Sequence, residues 1–281
     1  MTIAECLRAA TAVLAEAGVD SARLDARLLL GEVLGRDAGW LFNHGDDSLD
    51  EKSEAAFAAL IGRRRERQPM SLILGRREFW SLDFTVTRDT LAPRPDSETL
   101  IEAVLAELPD RTQPLSLLDL GTGTGCLILA LLSELPKARG TAVDIDPATL
   151  AVATGNAERL GLSGRASFVR SNWFEKIDGR FDVILSNPPY IKSDDIAGLD
   201  PEVARFEPIG ALDGGADGLD AYRFLISGAD KYLTEEGLIA FEVGAGQAPD
   251  VAALLAKAGF ASCSIHRDLA GIERSVMARR R

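Results

Sequence analysis

The run Leu115-Ser116-Leu117-Leu118-Asp119-Leu120-Gly121-Thr122-Gly123-Thr124-Gly125-Cys126 decides the fold. Residues 115–120 are mostly apolar, glycine takes every second position from 121 to 125, and an apolar helical pattern follows over 124–135. A strand that empties into a glycine turn at the head of a helix opens a nucleotide-binding α/β sheet, because residues without a Cβ let the backbone approach a ligand closely. The spacing narrows the ligand. A dinucleotide fingerprint needs G-x-G-x-x-G, whereas here the third glycine comes one residue early, and no Lys-Ser or Lys-Thr follows to make a P-loop. The bland alternative is a bare tight turn. The next strand argues against it: Thr141-Ala142-Val143-Asp144-Ile145-Asp146 carries Asp144, whose carboxylate can accept both hydroxyl hydrogens of a ribose, with Asp146 expected to cap the following helix. Between NAD and S-adenosylmethionine, the early third glycine, the preceding Asp119 and the missing pyrophosphate machinery favour the second. Asp119 either orients the methionyl end or fixes the glycine turn.

Working outward, apolar strand patterns at 115–120, 140–145, 166–169, 181–185 and 237–243 alternate with helical patterns at 124–135, 147–160 and 251–258. That alternation predicts a doubly wound α/β fold, a parallel sheet covered by helices on both faces. Residues 260–266 and 273–278 read as a final antiparallel hairpin at a sheet edge, joined through Gly271. The third strand leads into Ser171-Asn172-Trp173-Phe174, where the Trp173 indole either lies against an adenine or belongs to the core.

The fourth strand ends in Asn187-Pro188-Pro189-Tyr190. Alone this is a loop opener, since Asn-Pro and Pro-Pro commonly break strands. Beside the first strand, at the crevice where strand order reverses, it becomes a corner that can hold a planar nitrogen group. Prolines stiffen the backbone and leave carbonyls with no donor beside them. The Asn187 side-chain oxygen and the Pro188 carbonyl can accept the two hydrogens of an NH2 group, while Tyr190 packs on its plane. An amide or exocyclic nitrogen has a delocalised lone pair, so the site must aim that lone pair at a methyl donor. No strong general base is required, because the proton becomes acidic only as the methyl arrives.

Upstream, residues 1–74 read as a small helical bundle. Thr2 with Glu5 is a capping box, Gly18 and Gly35 are helix stops, and a helix from about 21 to 34 is expected to turn Leu24, Leu28 and Leu29 inward. A short helix covers 38–43, and another begins at Ser48 with Glu51 three residues on, carrying Phe57, Leu60 and Ile61. The basic run Arg63-Arg64-Arg65-Glu66-Arg67 reads as a solvated helix end, and Arg279-Arg280-Arg281 as a frayed one. Residues 75–92 form a hairpin connector, rich in aromatic and β-branched residues, and 93–281 the sheet domain.

The 281 residues are 46% apolar and 26% charged, with a formal net charge of −12 that repels phosphate backbones and anionic membrane surfaces. Three scattered cysteines (Cys6, Cys126, Cys263) suit reduced core thiols in a cytosol. Neither histidine, His44 nor His266, has a ligand-spaced neighbour, so no metal site and no compact Ser-His-Asp triad is expected. With no leader pattern and no stretch of roughly 20 apolar residues, the expectation is a cytoplasmic protein.

Taken together, the helical N-terminal part, Glu78-Phe79-Trp80, Pro93-Arg94-Pro95-Asp96, the glycine loop, Asn187-Pro188-Pro189-Tyr190, Arg205-Phe206-Glu207-Pro208 and Asp217-Gly218-Leu219 resemble the PrmC/HemK family of release-factor glutamine methyltransferases over nearly the full length. The resemblance implies a class I methyltransferase domain behind a helical substrate-recognition domain. It also implies methylation of the side-chain amide nitrogen of the glutamine in the Gly-Gly-Gln motif of class-1 peptide chain release factors. S-adenosyl-L-methionine would be the donor and S-adenosyl-L-homocysteine the product. Carried over by motif, Gly121, Thr122, Gly123, Thr124, Gly125, Asp144, Trp173 and Asn187 contact the cofactor. Asn187, Pro188, Pro189 and Tyr190 hold the glutamine, with Asn187 and Pro188 at the reacting nitrogen. The family's helical domain binds the release factor, which would involve Leu24, Phe57 and their neighbours; a monomer is expected. Two positions depart from the family pattern: Leu72 stands where tyrosine is frequent, and Ser97 replaces a common threonine while keeping a hydroxyl. Two competing readings are an amino-methyltransferase acting on adenine N6 or guanine N2 of DNA or RNA, and a non-catalytic docking module. The acidic charge and the lack of an evident base-reading domain weigh against the first. The intact Asn187 and glycine loop weigh against the second.

Overall fold

The computed structural model describes residues 1–280, which divide into two compact units: 1–76 together with 200–206, and 77–199 together with 207 onward. The first unit holds α1 (Ile3–Glu16), α2 (Ala22–Leu34), α3 (Ala38–Asn43), α4 (Glu51–Arg65) and α5 (Met70–Leu74). The capping box at the head of α1 forms as expected, the Thr2 side chain accepting from Glu5 N while the Glu5 carboxylate accepts from Thr2 N. Gly35 closes α2 in the left-handed conformation at φ +61. Ile3, Cys6, Ala10 and Leu14 meet Ala22, Ala26, Leu29 and Leu30 of α2 and Phe57 and Ile61 of α4 in one core.

Several expectations for this unit are corrected. Leu24 and Leu28 are 57% and 47% exposed, because α2 packs through the stripe that pairs two alanines with Leu29 and Leu30 and lets the helices approach closely. Phe57 is buried in the core and does not offer a surface. Asp50 and not Ser48 caps α4, its Oδ1 accepting from Ser53 N, while Ser48 pairs with Thr2 in an isolated bridge.

The basic run at the end of α4 is not solvated. Arg63 donates to Gln68 and to the Leu72 and Ile73 carbonyls. Arg64 is buried between Asp25 and Glu202, each 2.7 Å away, and Arg67 reaches Glu202 through Nε at 2.6 Å and Nη2 at 2.7 Å. Glu202 arrives from a segment 135 residues further along the chain than Arg67, so the run could not be read locally.

The second unit begins at Arg77, within the hairpin of β1 (Arg76–Phe79) and β2 (Leu82–Thr85), turned at Trp80 and Ser81, both at positive φ. Then come α6 (Glu98–Ala106), β3 (Ser116–Leu120), α7 (Cys126–Glu134), β4 (Arg139–Asp144), α8 (Pro147–Arg159), β5 (Ala166–Arg170) and β6 (Phe181–Ser186). After β6 the chain forms α9 (Pro201–Ala204), inside the segment counted with the first unit, and returns as α10 (Asp220–Ala229), β7 (Leu233–Glu242), α11 (Ala248–Lys257), β8 (Ala261–Arg267) and β9 (Glu273–Arg279).

The seven-stranded sheet has the order β5-β4-β3-β6-β7-β9-β8. β3 runs parallel to both β4 and β6, so strand order reverses between β3 and β6, and only the terminal hairpin is antiparallel, with β9 between β7 and β8. One face packs Leu117, Val183 and Leu185 on α6 and α7, and the other packs Leu118, Ile184 and Phe241 on α10 and α11. α10 was not expected, although Ala221, Tyr222, Leu225, Ile226 and Ala229 follow a helical period; the glycine-rich stretch before it masks the start. The terminal arginines are not frayed: Arg279 donates to Glu107, and Arg280 pairs with Asp230 at 2.6 Å, while Arg281 lies outside the described residues. Cys263 is exposed and not a core thiol.

Candidate active site

A cavity of about 480 Å³ opens at the carboxyl ends of the strands, where strand order reverses. Its floor is the glycine loop. Gly121 N and Thr122 N both donate to the Val143 carbonyl, at 2.9 and 2.8 Å, which ties the loop to the end of β4. Gly121, Gly123 and Gly125 all take positive φ, which fixes their identity. At Gly121 an added Cβ would also stand 3.2 Å from the Trp173 ring. Trp173 itself sits at φ +49, an uncommon conformation for a bulky residue, and the bend lays its indole against the loop.

Asp144 closes the next edge. Its Oδ2 accepts from Gly123 N and its Oδ1 from Asp146 N, both at 3.1 Å, leaving further lone pairs for the cavity it lines. Burial raises its pKa, against the backbone donors that lower it. Asp146 caps α8 as expected, accepting from Ala148 N.

Asp119 is fully buried and does not line the cavity; its Oδ2 accepts from the Thr122 hydroxyl at 2.6 Å, so it fixes the glycine turn. Burial pushes its pKa up to about 7. Cys126 lines the cavity, and burial pushes its thiol up to about 12, so it remains protonated and is no nucleophile at neutral pH.

β6 is held against β3 where it matters: Ser186 Oγ donates to the Leu120 carbonyl at 2.6 Å, setting Asn187 beside the glycine loop. Asn187 and Pro189 line the cavity; Pro188 is buried behind them, and Tyr190 packs against the core on the α10 face. Gln247 fastens Tyr190 by donating to its carbonyl at 3.0 Å, and a Cβ on Gly218 would stand 2.4 Å from that same oxygen. The stretch Asp217-Gly218-Leu219, without an assigned task in the sequence, is thus the close-packed bed of Tyr190.

Of the sequence-derived site residues, the structure brings Gly121, Thr122, Gly123, Thr124, Asp144, Trp173, Asn187 and Pro189 to one cavity; Gly125, Pro188 and Tyr190 are chain neighbours of these and do not line it. Two walls were missed. Residues 89–94 and 208–211 complete the cavity, and Arg94 Nη2 grips the Glu207 carboxylate at 2.6 Å, joining two motifs that carried the resemblance but no role. Asn156, fully buried, was also missed: its Nδ2 donates to the Thr124 carbonyl at 2.9 Å and its Oδ1 accepts from Thr85 N at 2.8 Å. A glycine turn without Cβ atoms, one strand-end carboxylate and a flat indole suit the adenosine half of S-adenosylmethionine.

Comparison with known proteins gives a consistent result. The PrmC N-terminal domain family matches residues 5–75 and the methyltransferase small domain matches residues 96–199. A release factor glutamine methyltransferase from Rhodospirillum rubrum is 50% identical, over 94% of this chain and 81% of its own. One from Cereibacter sphaeroides is 48% identical over 99% of both chains. Among solved structures, a methyltransferase from Pyrococcus furiosus superposes with a TM-score of 0.51 at 18% identity, covering 70% of this chain and 88% of its own, a likeness of fold.

Proposed function

The chain belongs to the family of release factor glutamine methyltransferases, and from that membership we infer that it methylates the side-chain amide nitrogen of the glutamine in the Gly-Gly-Gln motif of class-1 peptide chain release factors, using S-adenosyl-L-methionine. The observation that carries the reading onto this chain's own residues is Asn187 lining the same cavity as the glycine loop and Asp144. Bound there, the cofactor supplies an electrophilic methyl on a sulfonium. The residues do the rest. Gly121 to Gly125 and Asp144 hold the adenosine portion, Trp173 lies along it, and Asn187 borders it. Asn187 Oδ1 and the Pro188 carbonyl accept the two amide hydrogens of the glutamine, and Pro189 and Tyr190 flank its plane.

In this reading the exposed Leu24 and the rest of residues 1–74 serve release-factor recognition, 75–92 connect, and 93–281 carry the chemistry. The enzyme acts as a cytoplasmic monomer without a nucleic-acid substrate. The formal charge of −12 supports a protein substrate over a phosphate backbone, and no helix among the described residues is long and apolar enough to cross a membrane.

The test is mass spectrometry of purified release factor after incubation with enzyme and cofactor. One added methyl on the Gly-Gly-Gln peptide is expected. Transfer to ribosomal RNA or DNA with none to release factor would replace this reading by that of a nucleobase enzyme. Asp144→Ala is expected to weaken cofactor binding by about 1.5–3 kcal/mol, the range for hydrogen bonds to a charged group, with calorimetry as the measurement. Equal affinity in the two proteins would remove the ribose role.

A further inference from the structure

Glu242 ends β7, one strand away from Asn187, in the register that pairs Ser186 with Phe241. It is only 2% exposed, and its Oε2 has no hydrogen-bond partner among the described residues. Its main chain is fixed by the Tyr222 hydroxyl, which donates to the Glu242 carbonyl at 2.8 Å. The nearest cation, Arg274, is already engaged by Asp96 at 2.9 Å and Asp268 at 3.0 Å. The Ser97 hydroxyl and the Asn187 carboxamide lie beside the carboxyl and favour its charged form, against burial, which brings its pKa up to about 7. A buried carboxyl with an unpartnered oxygen is costly, and nothing in the packing of β7 requires one.

The chemistry of the pair gives it a task. An ionised carboxylate only accepts hydrogen bonds, whereas a carboxamide has a donating end and an accepting end. In its ionised form Glu242 draws Nδ2 of Asn187, which stands on the neighbouring strand, toward the carboxylate and leaves Oδ1 for the cavity that Asn187 lines. A cavity that presents an acceptor takes an N–H donor and repels another acceptor. Glutamine and glutamate have nearly the same shape and differ in this respect alone, so the orientation of one amide separates them.

We propose that Glu242 is a positioning residue that locks the Asn187 carboxamide with its oxygen toward the cavity and thereby sets the choice of a glutamine amide over a glutamate carboxylate. This rests on the reading of Asn187 as the group that holds the glutamine.

The experiment compares wild type with Glu242→Gln, on release factor carrying Gly-Gly-Gln and on its Gly-Gly-Glu counterpart as competitor. A glutamine at 242 can present either end to Asn187 and frees it to turn over. The expected result is a single-turnover rate about 100-fold lower, as for loss of near-attack alignment, with cofactor affinity within about twofold and an unchanged or higher melting midpoint. The competitor should gain about tenfold in potency relative to the glutamine substrate. A rate within about threefold of wild type with the same preference overturns the assignment. So does a joint fall of rate, cofactor affinity and midpoint with the preference intact, which marks a merely structural role. If the variant does not fold, Glu242→Asp, which keeps an acceptor-only group, must retain the preference at a reduced rate; its loss overturns the proposal. Wild-type transfer to Gly-Gly-Gln is the control. Its absence would remove the site reading and this one together, whereas its presence beside an unaffected Glu242→Gln removes this one alone.

Discussion

Replacing Asn187 by alanine is expected to lower the single-turnover rate of methyl transfer by roughly 100-fold or more while cofactor affinity weakens only a few-fold. The asymmetry follows from position. In the proposed reading the cofactor is held mainly by the glycine loop, whose geometry is fixed by the two hydrogen bonds to the Val143 carbonyl, and by Asp144. Asn187 lines that cavity, and its proposed task is to supply the acceptor that turns the lone pair of a resonance-stabilised amide toward the methyl. A 100-fold loss corresponds to about 2.7 kcal/mol of transition-state stabilisation. Rapid-quench measurement with enzyme in excess separates this from binding, and an unchanged rate would eliminate the amide-holding mechanism.

The second large effect lies in the helical unit. Arg64→Ala is expected to destabilise that unit by about 3–5 kcal/mol, because it strands Asp25, whose side chain is 5% exposed, without its counter-charge. Arg64→Met with Asp25→Leu should recover most of the loss, since a well-packed apolar pair can replace a buried ion pair. Hydrogen exchange of α2 and α4 amides in the two variants reads the difference; equal protection in wild type and Arg64→Ala would show the pair to be idle. The same cluster sets an acid limit. Burial raises the Glu202 carboxyl, but hydrogen bonds from Arg67 and Arg64 outweigh it and bring the pKa down to about 2. A carboxyl lowered on folding stabilises fully above its ordinary value near 4.5 and loses that contribution as pH falls toward 2, so the protection of Asp200–Phe206 should fade across that window.

Much of the site was legible because its signals are local. The glycine loop needs positive φ at three alternating positions, and only glycine takes that conformation without strain, so the turn is written in consecutive residues. Asp144 and Asn187 sit at strand ends, and a parallel sheet brings strand ends to one edge whatever the details of packing. The misreadings share a different origin. Leu24 and Leu28 have helical spacing as good as that of the buried stripe, and only the partner helices decide which face is covered. The arginines of α4 read as solvated because the carboxylates that bury them come from 39 and 138 residues away.

The sequence by itself determined the doubly wound sheet, the glycine turn, the strand-end carboxylate and the Asn-Pro-Pro-Tyr corner at the sheet edge, because each depends on backbone conformation or periodicity within a few residues. The tertiary structure alone decided which groups stand behind them. Asn156 bracing the glycine loop, Gln247 and Gly218 seating Tyr190, and Arg94 joined to Glu207 are polar or close-packed contacts between distant segments, and Glu242 is buried on the strand next to that of Asn187. Their energies arise from burial, and a side chain acquires burial only when the rest of the chain has folded around it.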